Sequence, residues 1–201
     1  IPGAGMDHRM GKLFNFSNLI NKYNILSIDL PGHGYTSGPV EANICEYSLF
    51  CNEVLEELKI DNPFIVGHSM GGLVALDLSK INKNTNPILM NTSYPLLVGE
   101  ILLEYAKGNL DQAAEFLTKY GVRELPDVEI KSAGFGVQGS GFYGRSKGVI
   151  KSPYGTKVVE SDPEREIKLY PLKKIFNQTH KEILSKDLKA CSTYKVNIDE
   201  I

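Results

Sequence analysis

The first ninety residues alternate between short apolar runs and longer stretches in which apolar side chains recur at helical spacing. The apolar runs predict strands at residues 24–29, 63–67 and 87–91. The helical spacing predicts helices at residues 9–23, 44–59 and 69–82. Because parallel neighbours need a crossover connection between them, this alternation favours an α/β fold in which helices flank a parallel sheet.

The pattern changes at about residue 95. Two helices are predicted at 96–107 and 110–120, then a glycine- and serine-rich segment at 132–156 and a mostly helical tail at 163–191. Compact domains rarely contain such a length without a buried strand, unless it forms a subdomain of its own. We therefore predict an α/β core at residues 1–94 and, at 95–201, a helical lid or cap with the start of a linker back to the core.

Composition narrows the functional classes. The chain has 201 residues, 42% of them hydrophobic and 23% charged, which are values of a soluble globular protein. A net charge of −2 provides no basic patch and argues against a nucleic-acid partner. No apolar run approaches the ~20 residues of a membrane span, and no signal peptide is recognisable. The three cysteines, Cys45, Cys51 and Cys191, lack C-x-x-C spacing, which favours reduced thiols and a cytoplasmic location.

The most informative motif follows the second predicted strand. Residues 67–71 read Gly-His-Ser-Met-Gly, with the apolar run Phe-Ile-Val before them and a helix with an apolar face after them. This is the pattern of a nucleophile elbow, in which a strained turn lifts a serine hydroxyl out of the sheet. A serine in an ordinary strand-to-helix loop is the alternative, and the context on both sides disfavours it.

Three motifs together resemble the α/β-hydrolase fold superfamily of serine hydrolases. Pro-Gly-Ala-Gly at residues 2–5 resembles the H-G-x-G turn after the third strand of that fold, with proline in place of histidine. Asp-Leu-Pro-Gly-His-Gly-Tyr-Thr-Ser-Gly at 29–38 resembles the D-x-P-G-H-G-x-S loop after the fourth strand. The serine motif at 67–71 resembles the elbow after the fifth. The resemblance covers residues 1–94 closely and the remainder only loosely.

The resemblance implies a mechanism and its residues. Ser69 would be the nucleophile that attacks an ester-like carbonyl, and a histidine base would remove its proton. The backbone N–H groups of Met70 and Ala4 would form the oxyanion hole. The implied partner is a small-molecule substrate, and no metal or organic cofactor is implied.

The rest of the catalytic triad is harder to assign. In this superfamily the acid and then the histidine follow the serine, and His180 is the only histidine after Ser69. Its helical surroundings argue against a role as base, and Asp162 before Pro163 is better explained as a helix start than as the acid. The tail at 187–201 resembles the linker into the seventh strand. We therefore expect an internal fragment of a longer hydrolase, with acid and base beyond residue 201.

The remaining histidines, Asp7 and the glycine motifs are expected to have structural roles. His33 is expected to order its loop, His68 to pack near the end of the sheet and Asp7 to cap a helix. Two overlapping G-x-G-x-x-G motifs at 134–144 lack the strand before and the helix after that a dinucleotide site requires. The functional alternative to an enzyme is a non-catalytic ligand-binding protein of the same fold that has lost the triad.

Overall fold

The structure is a computed structural model that describes residues 1–13, 19–120, 149–152, 155–158, 174–176 and 178–197. A 3-10 helix (His8–Leu13) comes first. The other elements, in chain order, are α1 (Ile44–Glu57), β1 (Phe64–His68), α2 (Met70–Ile81), β2 (Asn86–Met90), α3 (Glu100–Gly108), α4 (Leu110–Tyr120), β3 (Val149–Ser152), β4 (Gly155–Val158) and α5 (Lys181–Thr193).

The central sheet is parallel, as predicted. Strand β1 pairs with β2 in a register that sets Phe64 opposite Asn86 and His68 opposite Met90. On the other edge of β1, the amino group of Ile1 donates to the Val66 carbonyl at 2.6 Å, and the His68 N–H donates to the Ile1 carbonyl at 3.1 Å. This is the hydrogen-bond pattern of a parallel neighbour, so Ile1 extends the sheet beside the strand that leads to the elbow.

The prediction of a strand at residues 24–29 is wrong. Residues 24–29 form no strand, and Ile25 and Leu26 are exposed. A strand needs a neighbour to accept and donate its backbone hydrogen bonds, and this segment has none within the described ranges. The helix predicted at 9–23 is confirmed only as the short 3-10 helix, since residues 19–22 form turns and 14–18 lie outside the described residues.

Helices α1 and α2 build the core beside the sheet. Helix α2 contacts both strands, and α1 packs on α2. Asn43 begins α1 because its side chain accepts a hydrogen bond from the Glu46 N–H. The buried apolar residues of the two helices are Ile44, Tyr47, Cys51 and Leu55 in α1 and Met70, Leu73, Val74, Ala75, Leu76 and Leu78 in α2.

In the described residues after residue 95, the structure contains the helices α3, α4 and α5 and the hairpin of β3 and β4. Helices α3 and α4 pack on each other, and α5 packs on α3 and also reaches α2. Strands β3 and β4 pair antiparallel in a sheet of their own, so no strand from this part joins the central sheet in the residues described. The hairpin was not predicted. The division into a core and a lid at residue 94 stays a prediction.

The helices of the described residues were compared with the requirements of a membrane span. None of them combines the length and the apolar content that crossing a bilayer requires.

Candidate active site

Ser69 lies at the turn between the end of β1 and the start of α2. Its backbone angles, φ 52° and ψ −119°, fall outside the regions that side-chain-bearing residues prefer, so the turn is strained. The Ser69 N–H donates to the Met90 carbonyl at 2.9 Å, which ties the turn to the carboxyl end of β2. The side chain is half-buried. The predicted placement of Ser69, at a strand-to-helix turn on the carboxyl edge of a parallel sheet, is confirmed.

Two glycines of the motif have no room for a side chain. A β-carbon on Gly67 would collide with the carbonyl group of Gly71. A β-carbon on Gly71 would in turn collide with the carbonyl oxygens of Ile1 and Pro2. The glycines therefore allow the strand, the helix and the N-terminal segment to meet backbone to backbone at the elbow.

Residues 3–6 form a type II turn beside Ser69. The Met6 N–H donates to the Gly3 carbonyl at 3.0 Å, and Gly5, the third residue of the turn, has a φ of +66°. A β-carbon on Gly3 would lie 3.2 Å from the Ser69 β-carbon, so the turn contacts the elbow directly. The predicted turn at the start of the chain is therefore present, and it lies next to Ser69.

The two predicted oxyanion donors belong to different elements that meet at Ser69. Met70 is the first residue of α2, where backbone N–H groups have no acceptor within the helix. Ala4 is the second residue of the type II turn, and its N–H makes no hydrogen bond within the described part of the chain. Both residues are buried, which keeps their side chains away from solvent. Their role as donors stays a prediction.

His180, the only histidine that follows Ser69, is exposed at the N-cap of α5. Its Nδ1 accepts a hydrogen bond from the Glu182 N–H at 3.4 Å, so it caps the helix and does not lie within it as predicted. The candidate acid Asp162 lies outside the described residues. Among the described residues, His180 makes no hydrogen bond to Ser69.

His68 is buried, as its predicted position near the end of the sheet requires. Its Nδ1 would lie 3.1 Å from a β-carbon on Gly3, so the ring packs against the turn that contacts Ser69. Burial removes the ring from water and lowers the pKa of His68 to about 4. The ring is therefore neutral at neutral pH.

His33 forms a buried ion pair with Asp187. Its Nε2 lies 2.8 Å from Asp187 Oδ2 and its Nδ1 lies 3.0 Å from the Pro31 carbonyl oxygen. A carbonyl and a carboxylate are both acceptors, so the site favours the ring form that carries both protons and a positive charge. Burial lowers the pKa of His33, but the hydrogen bond to Asp187 and its charge outweigh that effect and raise the pKa above its ordinary value. With neither ring nitrogen left to act as a base, the predicted loop-ordering role of His33 is confirmed.

The sequence pattern assigned no function to Asp187, yet its carboxylate accepts hydrogen bonds from Gly5, His33 and Tyr47. It lies on the buried face of α5 with Leu184, Leu188 and Cys191, at the spacing i, i+3, i+4, i+7. A carboxylate inside an apolar stripe is the signal that could have revealed it, because a charge is buried only when it has partners.

Asp29, the first residue of the predicted D-x-P-G-H-G loop, organises the loops around it. It accepts hydrogen bonds from the His8 N–H at 2.6 Å and from the Tyr35 N–H at 2.9 Å, and it pairs with His8 Nδ1 at 2.9 Å. Asp7 accepts from the Arg9 N–H at 2.9 Å, which confirms the predicted helix cap.

One group of described residues has the spacing of a metal site. Ligand atoms of Asp7, His8 and Asp29 lie within 4.8 Å of one another. Asp7 is already paired with Arg9 at 2.6 Å and Asp29 with His8, so the cluster is satisfied without a cation. The glycine motifs at 134–144 lie outside the described residues, and the expectation of no cofactor stays a prediction.

Comparison with known proteins agrees with the family that the motifs and the turn at Ser69 indicate. The profile of the alpha/beta hydrolase family matches residues 1–160. Over 118 residues the chain is 30% identical to an esterase of Mycobacterium tuberculosis, covering 52% of this chain and 35% of the relative. It is 37% identical over 68 residues to the dihydrolipoyllysine-residue acetyltransferase component of the acetoin cleaving system of Cupriavidus necator, covering 33% of this chain and 18% of the relative.

Solved structures agree on the fold. An esterase from Exiguobacterium antarcticum superimposes with a TM-score of 0.64 at 15% identity, over 95% of this chain and 65% of its own. The enol-lactonase from Burkholderia xenovorans gives a TM-score of 0.61 at 19% identity, over 96% and 63%. The chain thus spans under two thirds of these structures and 18–35% of the two curated relatives named above. With its elbow, its adjoining turn and a matching profile over most of its length, the chain belongs to the alpha/beta hydrolase family.

Proposed function

We propose that the protein containing this chain is a serine hydrolase that acts on small ester-like carbonyl substrates, with Ser69 as its nucleophile. The observation that carries the proposal is the strained backbone of Ser69 at the carboxyl edge of the sheet. Strain of this kind persists where the surrounding structure enforces it, and it is concentrated at catalytic sites. Here the collision that any side chain on Gly71 would suffer shows how tightly the turn is enforced.

The chemistry follows from the groups around the turn. The Ser69 hydroxyl oxygen would attack the substrate carbonyl carbon while a base takes its proton, giving a tetrahedral intermediate with a negative oxygen. The N–H groups of Met70 and Ala4 would donate to that oxygen, and each such donor contributes about 3–4 kcal/mol to lowering the barrier. The leaving alcohol takes a proton from the base, and water then releases the acyl group from Ser69.

The identity of the base is proposed from the sequence and not from the geometry of the site. His33 has both ring nitrogens engaged, and His180 caps an exposed helix end. The described residues therefore assign neither the acid nor the base, and the family's order places both after Ser69 in the chain.

Two observations support the substrate class and the location. The relative from Mycobacterium tuberculosis, 30% identical over 118 residues, is an esterase, which favours a carboxylesterase-like reaction here. Cys45, Cys51 and Cys191 form no disulfide, in keeping with a cytoplasmic location.

Ser69→Ala in the full-length protein tests the proposal. Hydrolysis of a short activated ester such as p-nitrophenyl butyrate should fall at least ~10³-fold in kcat, with the fold intact. Ser79→Ala is the matched control, because Ser79 is a buried serine of α2 and its hydroxyl donates to the Leu76 carbonyl, the one partner it has among the described residues. Retention of more than a few per cent of the activity by Ser69→Ala would reject Ser69 as the nucleophile. A wild type that binds such esters without hydrolysing them would support the non-catalytic alternative.

A further inference from the structure

The Asp187 carboxylate joins three distant parts of the chain. Its Oδ2 accepts a hydrogen bond from the Gly5 N–H at 2.8 Å and from His33 Nε2 at 2.8 Å. Its Oδ1 accepts from the Tyr47 hydroxyl at 2.6 Å. Asp187 is fully buried, so these three donors replace the water that the carboxylate lost on folding.

One of these donors belongs to the turn beside Ser69. Gly5 is the third residue of the type II turn, and the Leu184 and Thr179 side chains pack against its α-carbon. Leu184 and Thr179 therefore supply the packing surface for the turn, and Asp187 supplies its hydrogen-bond acceptor. The Gly5 N–H donates to Asp187 and the Met6 N–H donates within the turn, whereas the Ala4 N–H donates to no group in the described part of the chain and is available to a ligand.

The hydrogen bond to Asp187 also selects the conformation of the turn. Type I and type II turns differ by a flip of the central peptide, here the one that joins Ala4 to Gly5. A flip would turn the Gly5 N–H away from Asp187 and point the Ala4 carbonyl oxygen at a buried negative charge. The carboxylate thus opposes the flip in two ways, by the bond it accepts and by the oxygen it repels.

We propose that Asp187 is a positioning residue, which anchors the turn of residues 3–6 through the Gly5 N–H and so holds the adjoining Ala4 N–H in place for the oxyanion formed at Ser69. This inference rests on the proposed function. Asp187 itself touches no reacting atom and acts through Gly5. A donor displaced by about 1 Å loses much of its effect on the transition state, whereas substrate binding in the ground state depends on it less.

A second buried carboxylate provides a matched control. Asp77 of α2 accepts hydrogen bonds from the Ser48 hydroxyl and, at 3.0 Å, from the Tyr194 hydroxyl just after α5. It therefore ties the end of α5 to the core as Asp187 ties its middle, and it makes no hydrogen bond to the turn within the described part of the chain. Changing Asp77 weakens the anchoring of α5 and leaves the Gly5 N–H with its acceptor.

The experiment compares Asp187→Ala, Asp187→Asn and Asp77→Asn in the full-length protein. For each variant kcat is measured per active site, with the sites counted by stoichiometric phosphonate titration so that unfolded protein does not contribute. Hydrogen exchange of the Gly5 amide is measured by NMR in parallel. Asp187→Ala should lose ~10–100-fold in kcat with KM within about threefold, and its Gly5 amide should exchange faster. Asp187→Asn keeps one oxygen acceptor, so its kcat should fall less than that of Asp187→Ala. Asp77→Asn should keep the kcat of the wild type.

The possible results distinguish a failure of this inference from a failure of the proposed function. A kcat for Asp187→Ala within about twofold of the wild type, or an equal loss in Asp77→Asn, would overturn the inference and leave Ser69 untouched. Wild-type protein without any hydrolysis would overturn the proposed function and this inference with it. If Asp187→Ala does not fold, Asp187→Asn is compared with Tyr47→Phe, which removes the bond to Oδ1 and leaves the Gly5 N–H with its acceptor Oδ2. The inference then requires the lower kcat in Asp187→Asn, and equal values would reject it.

Discussion

The α-carbon of Gly71 lies so close to the carbonyl oxygen of Ile1 that no side chain fits between them. Ile1 is itself held against β1 by hydrogen bonds to Val66 and His68. The elbow and the N-terminal segment are therefore fitted to each other backbone to backbone. This contact fixes the Ser69 turn from the side of the sheet opposite β2.

Gly71→Ala should therefore destabilise the protein by about 2–4 kcal/mol, because its new methyl group meets rigid backbone atoms. Gly108→Ala is the matched control, since Gly108 lies in α3 with open space around it. There the same change should be neutral or stabilising by up to about 1 kcal/mol, because alanine is the better helix former. Urea denaturation of both variants measures the difference, and equal effects would mean that the elbow is not tightly packed.

Ser69→Gly should stabilise the fold by about 1–2 kcal/mol while it removes the hydroxyl. Glycine adopts the φ of 52° and ψ of −119° found at Ser69 without strain. At Ser79, in the interior of α2, the same Ser→Gly change should destabilise by about 0.5–1 kcal/mol. Opposite shifts in melting temperature are therefore expected for the two variants. A destabilised Ser69→Gly would show that the turn stores no strain.

The His33–Asp187 pair should make stability depend on pH with a definite sign. The folded-state pKa of His33 is raised above its unfolded value of about 6.5, so the pair stabilises fully below that value. Its contribution is lost as the pH rises through the raised folded-state pKa and the ring becomes neutral. The difference in the free energy of unfolding between wild type and His33→Gln should thus shrink from pH 6 to pH 9. A difference that grows with pH would mean that the buried ring is neutral.

His180→Ala should leave ester hydrolysis by the full-length protein unchanged, because His180 is an exposed helix cap. The variant should lose about 0.5–1 kcal/mol of stability, and His180→Asn, which keeps a capping side chain, should lose less. Assays of kcat and thermal denaturation check both statements. Abolished turnover in His180→Ala would instead favour a Ser69–Asp162–His180 triad.

The structural features that depend only on residues close together in the sequence were predicted correctly. Strand β1, helix α2 and Ser69 between them were placed to within about two residues, because the apolar run, the glycines and the helical spacing are all local. The strand at 24–29 failed because a strand exists only with a partner, and hydropathy does not show whether that partner is present. The hairpin of β3 and β4 was missed because its alternation is only four residues long in each strand.

The most important interaction that the sequence did not predict joins two residues far apart in the chain. Asp187 and Gly5 are 182 residues apart, and nothing in the local pattern of either connects them. A charged residue in the apolar stripe of α5 predicts that partners exist but does not name them. His33 was correctly assigned to loop ordering, although the carboxylate that it pairs with came only from the structure.

The central claim, that Ser69 is the nucleophile, is tested most directly by covalent labelling of the full-length protein with a fluorophosphonate. Mass spectrometry of the digested protein should find one adduct, on the peptide that contains Ser69, formed in step with the loss of ester hydrolysis. Ser69→Ala should take up no label, and Ser79→Ala should be labelled like the wild type. An adduct on another residue that accompanies inactivation, or turnover that persists once Ser69 is fully labelled, would contradict the account.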